Sequence, residues 1–435
     1  ARLVEQKVEL MKVLVSVLLC ILTLLYIQKA LALSQDDRHS SPLSEGTAYY
    51  DLWKNREQVT YRLYFFDVTN SGSKTNKLNL KEVGPFVYKE TSTKEIVASG
   101  GEHLNFTRRS ICTFKPTSGH REQHRVEILN YAATVHSPLS HRALLHLRKR
   151  RAIPLVSNVR TNNGHLLEDS VGNIVHGVMA TKDSLTYVRR FQMDNGESSL
   201  RSLGRLVTVD GQSDMRAFIN GCSKINGHYE ETPPIPPGKQ IAIFLPEICR
   251  SVMFQMSGEE VVQGVVTDRY EMGHDGLRPE VVQMDCFCSD EILCRHFPGS
   301  LPMDACSGFH AFVTQPHLLH TSPELQRAVV GIAPNQSLHT SYINVDQETG
   351  IIIRSSIKLQ INVVVKDDAN LYLGPAVWFD KYYLLSKRRM RQVLNFEEVL
   401  RKMEINTLAK RFTQEERFPT VKILAITFSV FLLVG

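Results

Sequence analysis

The 435-residue sequence predicts an α+β chain, a large β-rich body interrupted by helix and bounded by an apolar run at each end. Three observations predict it. Short runs rich in Val, Ile, Tyr and Phe recur from Val59 to Val365 between turn-forming residues, which is the composition and spacing of strands. From Gln123 to Val159 there is no glycine, and leucines sit among His and Arg in a pattern that suits helix. No residue from Val13 to Ile27, or from Ile423 to Gly435, is charged.

Read back to Leu10, past a Lys12 able to snorkel, the first run supplies about 18 helical residues, roughly 27 Å, enough to cross a bilayer. It predicts a transmembrane helix over 10–28, after a cytoplasmic remnant at 1–9. A cleavable signal peptide is the alternative, because Ala30, Leu31 and Ala32 form an A-x-A pattern. Either reading sends the middle of the chain, residues 29–420, out of the cytosol. Residues 36–45 are polar, contain Pro42 and read as linker, so folding is expected from near Gly46.

Tyr61–Phe66 and Pro85–Tyr88 then read as strands on either side of the turn-forming residues 70–73. The helical stretch follows, its main segment bounded by Pro138 and Pro154. Strand signals return at Leu206–Val209, Ile241–Phe244, Val261–Val266 and Ile351–Ile353, with a proline-rich connector from Pro233 to Gly238. Ile357 to Val365 alternates, with Ile357, Leu359, Ile361, Val363 and Val365 on one face and Lys358, Gln360 and Asn362 on the other, which predicts a half-buried strand. Lys387–Arg411 is basic with helical spacing at Val393, Phe396, Leu400 and Met403. The last run predicts the start of a second transmembrane helix at 421–435, cut short, with a buried core helix as the alternative. Both cytoplasmic tails are expected to lie beyond this sequence.

Apolar residues make up 43% and charged residues 22%, which leaves material for a core and excludes general disorder. A net charge of +6 is too weak to argue for nucleic acid. Six of the eight cysteines, Cys222, Cys249, Cys286, Cys288, Cys294 and Cys306, fall in one stretch. With membrane-targeting sequence, an even cluster reads as disulfides of an oxidising compartment, leaving about 15 pairings open. A zinc site from Cys286, Cys288, Cys294, Cys306 and His296 is the rival, but the paired C-x-x-C knuckles are missing. Sequons at Asn105 and Asn335 agree with the non-cytosolic side.

The most charged local feature is His141, Arg142, His146 and the run Arg148, Lys149, Arg150, Arg151. Concentrated cations attract anionic ligands; a plain solvated helix face or a processing site are the competing readings. His310, His317 and His320 fit no familiar zinc spacing, and no metal or other cofactor is expected. No nucleophile elbow, H-E-x-x-H helix, P-loop or dinucleotide fingerprint occurs, so no catalytic residues are assigned.

Several stretches, in order along the chain, resemble the class B scavenger receptor family, the group of fatty acid translocase, the lysosomal integral membrane protein and the sensory neuron membrane proteins. They are Ile27–Lys29, Phe66–Asn70, Val83–Tyr88, Ile248–Ser251, Cys286–Cys288, Gln315–Leu319, Tyr342–Val345 and Thr349–Gly350. The segment from Asn162 to Tyr187 is only loosely similar. The resemblance implies an antiparallel β-barrel-like ectodomain, an apical helical bundle at about 121–160, a hydrophobic tunnel and cytoplasmic termini. It also implies disulfides joining Cys222 to Cys286, Cys249 to Cys306 and Cys288 to Cys294, which leaves Cys112 over.

The expected function is capture of lipids, fatty acids or lipoprotein particles at the basic apex and passage through the tunnel to the membrane. Removal of an acyl chain from water supplies about 0.8 kcal/mol per methylene, so no covalent chemistry is needed. The alternative is a sorting receptor that holds a protein cargo. The expected location is the plasma membrane, spanned twice, with an endosomal or lysosomal membrane as the alternative.

Overall fold

A computed structural model of the protein describes residues 42–395, except 57, 72–76, 117–118, 131–160, 163–165, 180–185, 200–201, 216–223, 233–237, 278–294, 304–310, 348 and 368–369. Both apolar runs therefore lie outside the described residues. Among those described, no helix is long and apolar enough to cross a membrane.

The chain enters through helix α1 (Ala48–Lys54), whose first turn is capped by the Thr47 hydroxyl accepting from the Tyr50 N–H. Strand β1 (Val59–Val68) follows, with Tyr61, Leu63 and Phe65 turned inward. Phe66 and Val68 alternate to the opposite face with Tyr64, where they form a separate outer cluster. Long strands β2 (Leu80–Gly100) and β3 (His103–Lys115) form a hairpin beside it. A small sheet of β4 (Arg125–Leu129), β5 (Thr161–Asn162) and β6 (Leu166–Ser170) precedes α2 (Val171–Met179).

The main sheet then continues through β7 (Thr186–Asp194), β8 (Leu206–Val209), β9 (His228–Tyr229), β10 (Gln240–Leu245), β11 (Arg250–Val262) and β12 (Val265–Glu271). Short β13 (Leu301–Pro302) and β14 (Ala311–Thr314) come next, then helices α3 (Pro323–Arg327) and α4 (Gln336–His339). Strands β15 (Tyr342–Asp346), β16 (Ile352–Asp367) and β17 (Asn370–Leu384) and helix α5 (387–395) complete the described chain.

The main sheet runs β8-β7-β3-β2-β1-β17-β16-β15-β12-β11-β10-β9, antiparallel except where β9 meets β10. Its two edges approach each other: the Leu206 N–H donates to the Gly227 carbonyl at 3.0 Å and the Tyr229 N–H to the Gly204 carbonyl at 2.8 Å. The sheet is thus nearly closed and barrel-like, and its inner face carries the principal apolar core. Closure removes most of the exposed edge that a sheet of this width would otherwise present.

The barrel has distinguishable ends. At one end, Arg389 of α5 donates to the Asn55 carbonyl at 2.8 Å, joining the two ends of the described chain. At the other, the Glu127 N–H of β4 donates to Asp67 near the end of β1, so the strands that flank 131–160 lie remote from both chain ends.

Two expectations need correction. The stretch read as helical from Gln123 begins as strand: β4 pairs with β6, some forty positions away, and Val126, Ile128 and Leu129 pack into the principal core. Residues 131–160 of the apical region lie outside the described residues. The half-buried strand expected at Ile357–Val365 is covered on both faces, because the segment from β14 to α4 lies over its outer side. Gln360 and Asn362 are fully buried there. The Gln360 Oε1 accepts from the His317 N–H at 2.6 Å, and the Asn362 amide donates to the Phe312 carbonyl at 3.0 Å.

Candidate functional site

Alternation along β2 aims Phe86, Tyr88 and Glu90 into the barrel, with Lys94 farther along the strand; on β3 it does so for Leu104, Phe106, Arg108, Ser110 and Cys112. Charged residues thus occupy an otherwise apolar register. Burial of a lone charge is too costly to persist, so partners must come from elsewhere in the chain.

They do. Glu231 pairs with Lys94, and with Arg56 and Arg108 at 3.3 Å each. Glu90 pairs with Arg108 at 2.6 Å and accepts from the Tyr187 hydroxyl at 2.7 Å. Lys381 of β17 donates to both oxygens of Glu230 at 2.7 Å and to Glu247 at 2.9 Å. The four cations and four carboxylates named balance, so the network presents no net charge to an anion. It ties β2, β3, β7 and β17 to the α1–β1 connection and to the residues following β9 and β10.

Burial opposes every charge in this network, and the partners decide each outcome. Burial raises the Glu231 carboxyl, but Lys94, Arg56 and Arg108 outweigh it and hold the group well below the usual carboxylate range. Lys94 has one carboxylate and two neighbouring cations, so burial brings its ammonium down to about 8. For Lys381 burial is outweighed by Glu230 and Glu247, and the ammonium is raised. Burial lifts Glu230, while Lys381 overcomes it at Glu247 and lowers that group.

Apolar layers lie on both sides of the network. Toward the chain ends, Trp53 meets Phe106 edge-on at 4.9 Å, and Phe106 stacks on Phe191 at 5.3 Å. Toward the remote end are Leu63, Phe65, Phe86 and Tyr88, with Phe65 and Phe86 edge to face at 5.8 Å. A cleft lined by Arg56, Glu230 and Lys381 together with Ile243, Ile343 and Ile357 has room for about one water. The network is therefore a packed polar floor at the chain-end side of the interior.

A second cluster joins the covering segment to the barrel's outer face. The Ala333 N–H donates to His317 Nδ1 at 3.0 Å, so Nε2 holds the ring proton and donates to Glu82 Oε2 at 2.6 Å. The Trp378 indole donates to the same oxygen at 2.7 Å, and Trp378 stacks on Tyr64 at 3.9 Å. His317 thus has a structural place. His320 bonds Gln315 and Gln336 at 2.9 Å each, and His310 lies outside the described residues. Among the described residues no group of three or more His, Cys, Asp or Glu is arranged to hold a metal.

Of the residues singled out from sequence, His141, Arg142, His146, Arg148, Lys149, Arg150 and Arg151 lie outside the described residues. So do Cys222, Cys286, Cys288, Cys294 and Cys306. Cys249 is disulfide-bonded, and Cys112 is a free, buried thiol pushed up to about 12 by burial. Asn335 is exposed and Asn105 half-buried on β3. Sequence reasoning missed the polar floor; its one visible signal was a charge in an inward register, as in Phe86-x-Tyr88-x-Glu90.

The described chain enters and leaves the nearly closed barrel at one end. The profile of the CD36 family matches residues 12–177 and 154–407, nearly the whole chain. The chain belongs to the CD36 family. This confirms the class B scavenger receptor kinship that the motifs resemble. Among similar CD36-family proteins, lysosome membrane protein 2 of Rattus norvegicus is 26% identical over 83% of this chain and 82% of its own length. Scavenger receptor class B member 1 of Mus musculus is 23% identical over 76% of this chain and 72% of its own. Sensory neuron membrane protein 2 of Manduca sexta is 22% identical over 75% and 74%. As a member of this family the chain is a scavenger-type membrane receptor.

Proposed function

We propose that this receptor captures lipids, fatty acids or lipoprotein particles at the cationic segment His141–Arg151 and passes acyl chains along the barrel interior to the membrane. The observation that carries the reading is the apolar inner face of a nearly closed sheet, with Leu63, Phe65 and Phe86 between the flanks of that segment and the chain ends. Each methylene moved from water into such a lining gains about 0.8 kcal/mol. The polar floor adds a condition: passage to the bilayer leaves the barrel beside the floor, because charges bridged across it leave no room for an acyl chain.

In this reading residues 10–28 and 421–435 are the membrane anchors and 29–420 the ectodomain. The disulfides are Cys222–Cys286, Cys249–Cys306 and Cys288–Cys294; the bonded state of Cys249 supports the second. The exposure of Asn335 supports its glycosylation, with Asn105 the second acceptor. The home membrane in this reading is the plasma membrane. A protein-cargo receptor in an endosomal or lysosomal membrane is the second reading, favoured by the likeness to a lysosome membrane protein.

Reversal of Arg148, Lys149, Arg150 and Arg151 to Glu tests the capture step. Binding of anionic lipid particles falls at least about tenfold if these cations steer and hold them. Unchanged binding removes the segment from the mechanism, and recovery of a stoichiometric protein by affinity capture favours the second reading.

A further inference from the structure

Two hairpin turns lie at the end of the barrel from which the described chain enters and leaves. The β11–β12 turn is fixed there by Gln263, whose side-chain amide donates to the Leu385 carbonyl at 2.6 Å, immediately before α5. The β2–β3 turn is fixed by Asn195, whose amide donates to the Gly101 carbonyl at 2.9 Å while its own carbonyl accepts from the Leu43 N–H at 2.8 Å. Each turn thus touches one end of the described chain.

Both hairpins carry apolar side chains that nothing in the described fold covers. In the β11–β12 pair, Val262 and Val265 face the core, 4% and 3% exposed. Val261 and Val266, directly opposite each other, face out at 66% and 46%. On β2, the register shift between Ile96 and Ala98 leaves Val97 unpaired and 67% exposed. The pairing of β11 with β10 stops at Gln255 and that of β12 with β15 begins at Thr267, so Val261 and Val266 stand on a free two-stranded tip, on the face opposite the core-facing Val262 and Val265. Helix α5 contributes charge beside them: Met390 and Val393 are buried, while Arg388 and Arg391 are exposed.

We propose that this end is a bilayer-docking face, on which Val97, Val261 and Val266 enter the interfacial layer and the cations of α5 meet lipid phosphates. The inference rests on the reading of 10–28 and 421–435 as membrane anchors. Those tethers bring this end to the bilayer, and the valines decide how the body rests on it. Apolar hairpin tips flanked by cations fit the headgroup–acyl boundary, where branched side chains leave water and arginines keep their solvation. The body is thereby held upright, with the strands that flank 131–160 away from the surface.

The chain's own tryptophans make the test clean, since Trp53 and Trp378 are buried at 4% and 6% exposure. Val261→Trp and Val266→Trp are placed separately in the full chain and reconstituted in phosphatidylcholine vesicles with or without brominated acyl chains. Val330→Trp is the control. Val330 is 46% exposed and bonded to Leu80, at the far end of β2 and about 65 Å of strand from Gly100. Bromine lowers emission from positions 261 and 266 by about twofold or more and leaves position 330 unchanged, because quenching needs contact with the acyl boundary. Flotation with the vesicles without quenching at either valine overturns the docking face alone. Failure to float overturns the anchoring reading and the docking face with it. A blue shift without quenching assigns the valines to a protein neighbour, a second copy included, and also overturns the proposal.

Discussion

His317 and His339 stack ring on ring on the outside of the barrel, centroids 4.4 Å apart and planes within 8° of parallel. Each uses Nδ1 as an acceptor for the same loop: His317 from the Ala333 N–H at 3.0 Å, His339 from the Asn335 N–H at 3.1 Å. A proton on the His339 Nδ1 converts an acceptor into a donor and breaks a bond that holds the covering segment. Burial first, then the neighbouring His317, lowers His339 to about 4 from its ordinary 6.5, against the pull of Glu82.

The sign of the pH dependence follows. A histidine lowered in the folded state binds fewer protons than when unfolded, so its contribution is full above about pH 6.5 and is lost as pH falls toward 4. The Tm of the full chain is expected to fall across that window, and the fall is shallower in His339→Gln. Equal slopes in the two proteins contradict this assignment.

Glu231 is the carboxylate on which three buried cations depend. Glu231→Gln leaves Lys94, Arg56 and Arg108 without it, a change expected to cost about 3–5 kcal/mol. Chemical denaturation measures it. Glu324→Gln breaks the exposed pair with Arg327 and is expected to leave the unfolding midpoint unchanged. Comparable effects of the two substitutions contradict the view that the floor braces the barrel.

Gly331 and Gly119 share a φ of +95°, yet only one is crowded. A Cβ at Gly331 collides with the Leu80 carbonyl where the covering segment meets β2, whereas nothing lies within 4 Å of one at Gly119. Gly119→Ala is expected to cost about 1 kcal/mol from backbone strain, and Gly331→Ala about 3 kcal/mol or more. Equal losses in denaturant titrations show that this contact does not fix the segment.

Local pattern made much of the barrel legible. Strands β1, β2 and β16 are long enough for alternation to show, and turn-forming residues mark the break between β1 and β2. Strand β4 was not legible, because a Gly-free stretch with Val126, Ile128 and Leu129 satisfies a helical period equally well and only pairing with β6 decides. The family's motifs supplied the barrel closure, which local pattern does not encode. Neither route revealed the polar floor. Its bonds join residues far apart, 151 positions between Lys381 and Glu230, and a charge in an inward register names no partner by itself. The same holds for His317 and Glu82, 235 positions apart.

In the function proposed above, the barrel carries acyl lipid. Mass spectrometry of the organic extract from the purified full chain, counted per mole of protein, tests it most directly. Acyl lipids near one per chain or more are expected after washing with lipid-free detergent, and fewer when Leu63 inside the barrel is changed to a charged residue in a variant that still folds. An extract with no acyl lipid above that of a control membrane protein of another fold, carried through the same purification, contradicts it.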